Sequence, residues 1–187
     1  MEKPQLSVVI LGLLAACWPA ASPFPSGAPL GSCQTMAPRH AGASPQAGAS
    51  PYSIMAKSYN DKVEVKIMGP TYRGILLEAR YPNDMLAIGT WSAPPNDTKT
   101  IPCFSKANSA ITHSNTNPKN NMTTYTWIVP CSKNDTVVFL ATVARSREEY
   151  WLKLTSENVH LTCSGSVRTL HGFSVLAVLM ISGLAML

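Results

Sequence analysis

Across residues 62–68 apolar and polar positions alternate, with Val63, Val65 and Ile67 on one side and Lys62, Glu64 and Lys66 on the other. A period of two predicts a strand with one buried face. The next run, 69–80, opens on a Gly-Pro turn signal and then sets Ile75, Leu77 and Ala79 on one face and Leu76, Glu78 and Arg80 on the other. Leu76 makes one end of the second face apolar too, so part of this strand should be covered on both sides, as inside a packed sheet. The few residues between the runs, Gly69 and Pro70 among them, predict a hairpin or a tight corner between two sheets.

The rest of the chain reads as partners for this pair. Residues 22–51 are rich in Pro, Gly, Ala and Ser without periodicity, the composition of a disordered leader. Cys33 lies inside them, however, and a bridge from it to the later sheet would tie the segment across the domain as an extended strap. A short strand is expected at 52–55. Tyr81-Pro82-Asn83-Asp84 is a turn, followed by a strand over 85–91 that carries Leu86, Ile88 and Trp91. Pro94 and Pro95 make 93–98 a loop, and 100–104 delivers Cys103 into the fold. Strands follow at 110–114, at 122–129 with Tyr125 and Trp127 sharing a face with Thr123, at 137–143 with apolar residues on both faces, and at 150–154. Seven or eight short strands with turn chemistry between them, and no long helical period, predict an all-β, antiparallel β-sandwich.

Both ends have the look of processing signals. Residues 1–21 hold Lys3, an apolar run from Leu6 to Ala16, and then small residues, the build of a secretory signal peptide. Leu14-Ala15-Ala16-Cys17 also matches a bacterial lipoprotein box, but sequons at Asn96, Asn121 and Asn134 favour a eukaryotic secretory route. In 164–187 the small residues Ser164, Gly165 and Ser166 precede a spacer and an apolar tail from Phe173 to Leu187. As a helix that tail would reach about 22 Å, short of the roughly 30 Å hydrocarbon core. The pattern is that of a glycosylphosphatidylinositol (GPI) attachment signal, with Ser164, Gly165 and Ser166 as candidate lipid-attachment residues; a short membrane tail and plain secretion are the alternatives.

Without its signal the chain keeps four cysteines, Cys33, Cys103, Cys131 and Cys163. An even number in a secreted chain, with no Cys-x-x-Cys pair, predicts two disulfides in preference to a metal site, and spacing leaves all three pairings open. Residues 22–163 are long enough for one domain. Of the fifteen Lys and Arg and ten Asp and Glu, only Lys3, Arg168 and Glu2 fall outside that domain. The charges are scattered, so no basic stripe for nucleic acid emerges. A protein or glycan partner is the better expectation.

Candidate chemistry is sparse. His113-Ser114, with Asp97 or Asp135 as a third member, imitates a hydrolase site, but a Ser beside its own His is poorly placed to be activated by it. His40, His113 and His160 have no ligand spacing. Trp91, Trp127, Trp151, Tyr72, Tyr125 and Tyr150 could line a binding face, though strand-borne aromatics are more often core. No catalytic residue, metal or cofactor is therefore expected.

Several ordered segments share a likeness. Cys33-x-x-Met36-x-Pro38-x-His40, Gly69-Pro70-x-Tyr72-x-Gly74-x-Leu76-Leu77-Glu78-Ala79-Arg80, Ala110-Ile111-Thr112-His113-Ser114, Trp127 with Pro130, Phe139-x-Ala141-Thr142-Val143 and Tyr150-Trp151-Leu152-Lys153 together resemble the reelin (reeler) domain. That family includes the start of reelin and F-spondin, ferric-chelate reductase-like proteins and insect secreted defence proteins. The resemblance implies an immunoglobulin-like sandwich with an N-terminal strap, and the pairings Cys33 with Cys103 and Cys131 with Cys163. The haem-binding membrane domain of the reductase relatives has no counterpart here. The expected function is a non-catalytic binding or adhesion module of the cell surface, anchored on the extracellular side of the membrane and contacting a protein or glycan through loops at one end. Alternatives are an innate-defence effector, secreted or on the surface, and an accessory protein related to ferric-chelate reductases.

Overall fold

The computed structural model describes residues 24–40, 42–130 and 135–161. The expected signal peptide, the expected anchor signal with Ser164, Gly165 and Ser166, the sequon Asn134, and Cys131 and Cys163 lie outside them. Among the described residues ten strands run in chain order: β1 Ser53–Tyr59, β2 Lys62–Met68, β3 Gly74–Arg80, β4 Thr90–Trp91, β5 Thr98–Ile101, β6 Ala110–His113, β7 Tyr125–Ile128, β8 Thr136–Ala144, β9 Tyr150–Thr155 and β10 Val159–His160. One sheet has the order β1-β2-β7-β4 and the other β10-β8-β3-β6-β5, with β9 also bonded to β8. Every pairing is antiparallel. The fold is thus the all-β sandwich that the alternation predicts.

β2 and β3 belong to different sheets, so the Gly69-Pro70 segment is the tight corner and not a hairpin. Gly69 has a φ of 128°, where an added Cβ would collide with the Pro51 carbonyl, and glycine alone meets both conditions. The hairpin lies one step earlier: β1 pairs with β2 from Ser53↔Met68 to Tyr59↔Lys62, turning at Asn60 and Asp61. β1 is longer than the stretch 52–55 because Lys57 and Ser58 sit on an edge strand, where polar residues are no obstacle.

The expected strand over 85–91 shrinks to Thr90–Trp91. Leu86 N–H is taken by the Asp84 side chain in a local turn, and both Met85 and Leu86 face water. Gly89 ends that loop at a φ of 64° against the Trp127 indole. Gly89→Ala would add left-handed backbone strain to an overlap with a fully buried ring. A loss of roughly 2–3 kcal/mol is expected in urea unfolding, and a loss under about 0.5 kcal/mol would show that the ring gives way.

The main core lies between the sheets. Val63, Val65 and Ile67 of β2 meet Ile75, Leu77 and Ala79 of β3 and Val137, Phe139 and Val143 of β8. Trp91 and Trp127 stand edge-on to Phe139. The six aromatic residues that might have formed a binding face are instead buried: Trp91, Trp127, Trp151, Tyr72, Tyr125 and Tyr150. Tyr72 and Tyr125 join their hydroxyls at 2.9 Å, which satisfies two polar groups that burial would otherwise penalise.

The outer face of β3 is covered as well, and the cover is the N-terminal segment. Cys33 and Met36 pack with Leu76, Ile101, Cys103 and Ala110 in a second, smaller cluster. A disulfide joins Cys33 to Cys103 across 70 residues. Residues 24–40 are therefore a strap and not a disordered leader.

Candidate functional site

Strap and sheet do not meet along their whole length. Between them runs an apolar groove of about 270 Å³. Its floor is Gly74, Ile75 and Leu76 of β3 with Thr142 and Ala144 of β8, and its strap wall includes Phe24, Pro29, Met36 and Pro38. The strap is held over this floor by polar contacts to the sheet that leave the apolar groups facing the gap. Ala28 N–H donates to Thr112 Oγ1 at 2.8 Å, and Thr142 Oγ1 donates to the Met36 carbonyl at 2.7 Å. Arg80 Nη2 donates to the Cys33 carbonyl at 2.6 Å.

The mouth is cationic. Arg73 and Arg147 line it together with His40 and Thr116, and none of the described lining residues is Asp or Glu. Arg73 is steadied by a 2.8 Å bond from Nη1 to the Thr116 carbonyl. Arg73 N–H also bonds the Ala144 carbonyl, which brings the turn before β3 against the end of β8. Arg147 also lies 3.9 Å from Glu148 in a solvent-exposed pair that water screens. Ser32, fully buried in the strap wall, has a hydroxyl without a hydrogen-bond partner among the described residues.

Local sequence carried no sign of this arrangement. Arg73 and Arg147 look like ordinary turn cations 74 positions apart in the chain, and only the β3–β8 pairing brings them together.

His113 closes one end of the groove as a strut. Its Nε2 lies 2.9 Å from the Phe24 carbonyl, and its Nδ1 lies 3.2 Å from Ile75 N and 3.3 Å from the Ile75 carbonyl. Burial holds its pKa below the ordinary imidazole value, and the two carbonyls offset that only in part. The ring is therefore neutral at pH 7, and both its nitrogens already face backbone, which leaves none for activating Ser114. The other two histidines stand elsewhere, His40 Nδ1 on the Arg147 carbonyl and His160 Nδ1 on Thr136 Oγ1. Among the described residues one set of potential metal ligands converges, Cys33, Glu78 and Cys103, but the disulfide uses both sulfurs. Of the sequons, Asn96 and Asn121 are exposed, as a glycan acceptor must be.

Two antiparallel sheets with a disulfide-pinned strap define a β-sandwich module whose distinguishing feature is the strap and the groove beneath it. The Reeler domain model matches residues 31–166, and the chain belongs to that family. Among its relatives, the provisionally named defense protein 1 of Antheraea mylitta is 35% identical over 151 residues, 75% of this chain and 88% of that protein. Ferric-chelate reductase 1 of Mus musculus is 30% identical over 164 residues, which are 83% of this chain but 27% of the reductase. The crystal structure of the human F-spondin reeler domain superposes with a TM-score of 0.50 at 16% identity, over 65% of this chain and 95% of that one, a likeness of fold.

Proposed function

We propose that this protein is a non-catalytic binding module displayed outside the cell, that the strap groove is its binding site, and that its role lies in defence recognition. The observation that carries the reading is the groove itself, an apolar cleft on a rigid sheet with a few polar groups at its mouth, the usual form of a small-ligand site. Insect relatives that share nearly their whole length with this chain support the defence role. In this reading residues 1–21 direct secretion, residues 22–163 form the domain, Cys131 pairs with Cys163, Asn96, Asn121 and Asn134 carry glycans, and a lipid is attached among Ser164, Gly165 and Ser166. An adhesion role through loops is the second reading, favoured by the exposure of Met85 and Leu86 in the loop after β3.

Expressed as the full precursor in animal cells, the protein is expected to leave intact cells on treatment with phosphatidylinositol-specific phospholipase C. The released glycoprotein is expected to bind bacterial cells. Binding to animal cells or matrix alone would favour adhesion, and binding to none of these would end the module reading.

A further inference from the structure

Three observations at the groove bear on what it takes. The interior is apolar, so the bound part must be hydrocarbon, and its release from water drives binding. The volume of about 270 Å³ falls just below the roughly 300–1,000 Å³ range of ligand sites, which suits one chain and not a two-chained lipid. At the mouth stand two guanidiniums, with no carboxylate among the described lining residues, and a guanidinium binds carboxylate-like oxygens through paired donors.

Resting on the binding-module reading above, we infer that the groove binds a single-chain amphiphile with an anionic head, of the fatty carboxylate class. The hydrocarbon lies over Ile75 and Leu76 beneath Met36, and the head is held at the mouth by Arg73 and Arg147. Dispersion and burial supply affinity for any chain that fits. The arginines supply the discrimination between charged and neutral heads.

The test uses the phospholipase-released glycoprotein, with cis-parinaric acid as a fluorescent probe and laurate, methyl laurate and dodecyltrimethylammonium as competitors. Laurate is expected to displace the probe at least tenfold more effectively than the other two. The double variant Arg73→Gln, Arg147→Gln changes exposed side chains only, and it should weaken laurate about tenfold while leaving methyl laurate unchanged. Ala28→Phe, which enlarges a strap residue at the groove wall, should abolish probe binding without altering the fold seen by circular dichroism.

Equal displacement by all three competitors would overturn the anionic-head assignment. Probe binding that survives Ala28→Phe in a folded protein would overturn the location. No probe binding by protein that still binds bacteria would overturn the ligand class and leave the module reading standing. Laurate binding by protein that binds no cells would do the reverse.

Discussion

At pH 8, above the Glu78 titration, Arg80→Met is expected to destabilise the domain by about 3–5 kcal/mol, the cost of leaving a buried carboxyl without its counter-charge. Arg80 and Glu78 lie on the strap-covered face of β3 with side-chain exposures of 3% and 0%. Nε and Nη2 of Arg80 donate to Glu78 Oε2 at 2.9 and 2.8 Å, and Nη2 also reaches the Cys33 carbonyl. Removing the guanidinium leaves a carboxylate with no counter-charge and a strap carbonyl with no donor. Replacing both residues by methionine removes the stranded charge, so the double variant should recover most of the loss. Urea unfolding of the two single variants and the double measures the coupling directly. Additive losses would show that the two residues act independently.

The same carboxyl gives stability a pH dependence. Burial pushes Glu78 up from 4.5 to about 7, and Arg80 offsets only part of the rise. The folded protein therefore holds a proton over an interval where the unfolded chain has released it. The Glu78 contribution is fully present below about pH 4.5 and is lost as the pH rises toward 7. His113 acts in the opposite sense, because its folded value is lowered and its contribution grows as the pH rises. The difference between wild type and Glu78→Gln isolates the carboxyl, and that difference should shrink from pH 4.5 to 7. A difference that stays flat over this range would show that Glu78 remains ionised in the folded state.

Replacing Cys33 and Cys103 together by alanine is the second large effect, a loss of about 4 kcal/mol in the chain-entropy account of a bridge spanning 70 residues. Double replacement avoids leaving a free thiol. The consequence should be local before it is global. With the bridge gone, the strap rests on Met36, the Arg80 contact, the hydrogen bonds of Ala28 and Thr142, and the histidine contacts at its two ends, His113 to the Phe24 carbonyl and His40 to the Arg147 carbonyl. Amide exchange in residues 24–40 should then speed up far more than in β2, β3 and β8, whose bonds lie within the two sheets. Since the strap is one wall of the groove, binding there should fail under conditions where the sandwich is still folded. Uniform acceleration over the whole domain would mean that strap and sandwich open as one unit.

Neighbouring residues were enough to read much of this. Alternation in 62–68 and 74–80 gave strands in the right places, because side-chain direction along a strand depends only on the order of residues. The doubly apolar run at 137–143 marked the central strand β8 for the same reason. Where a turn competes with a strand the reading failed: at 85–91 the Asp84 side chain takes a main-chain donor and Gly89 turns the backbone aside. The two-residue β10 was too short to show any period. On the outer face of β3, alternation put Leu76, Glu78 and Arg80 together but gave no sign that the two charges would be buried.

By itself, then, the sequence determined the β-sandwich class, most of the strands and the residues of the main core, since each depends on patterns within a few neighbouring positions. Tertiary structure alone decided that the Pro- and Gly-rich segment becomes a strap, that Glu78 and Arg80 pair beneath it, and that Arg73 and Arg147 meet at the mouth of a groove. The strap and the groove join residues tens of positions apart, and the Glu78–Arg80 pair, though only two positions apart, is buried because a strap from far earlier in the chain covers it. Their energies depend on desolvation and on which groups the packing brings close, and neither quantity is a property of any local run of the chain.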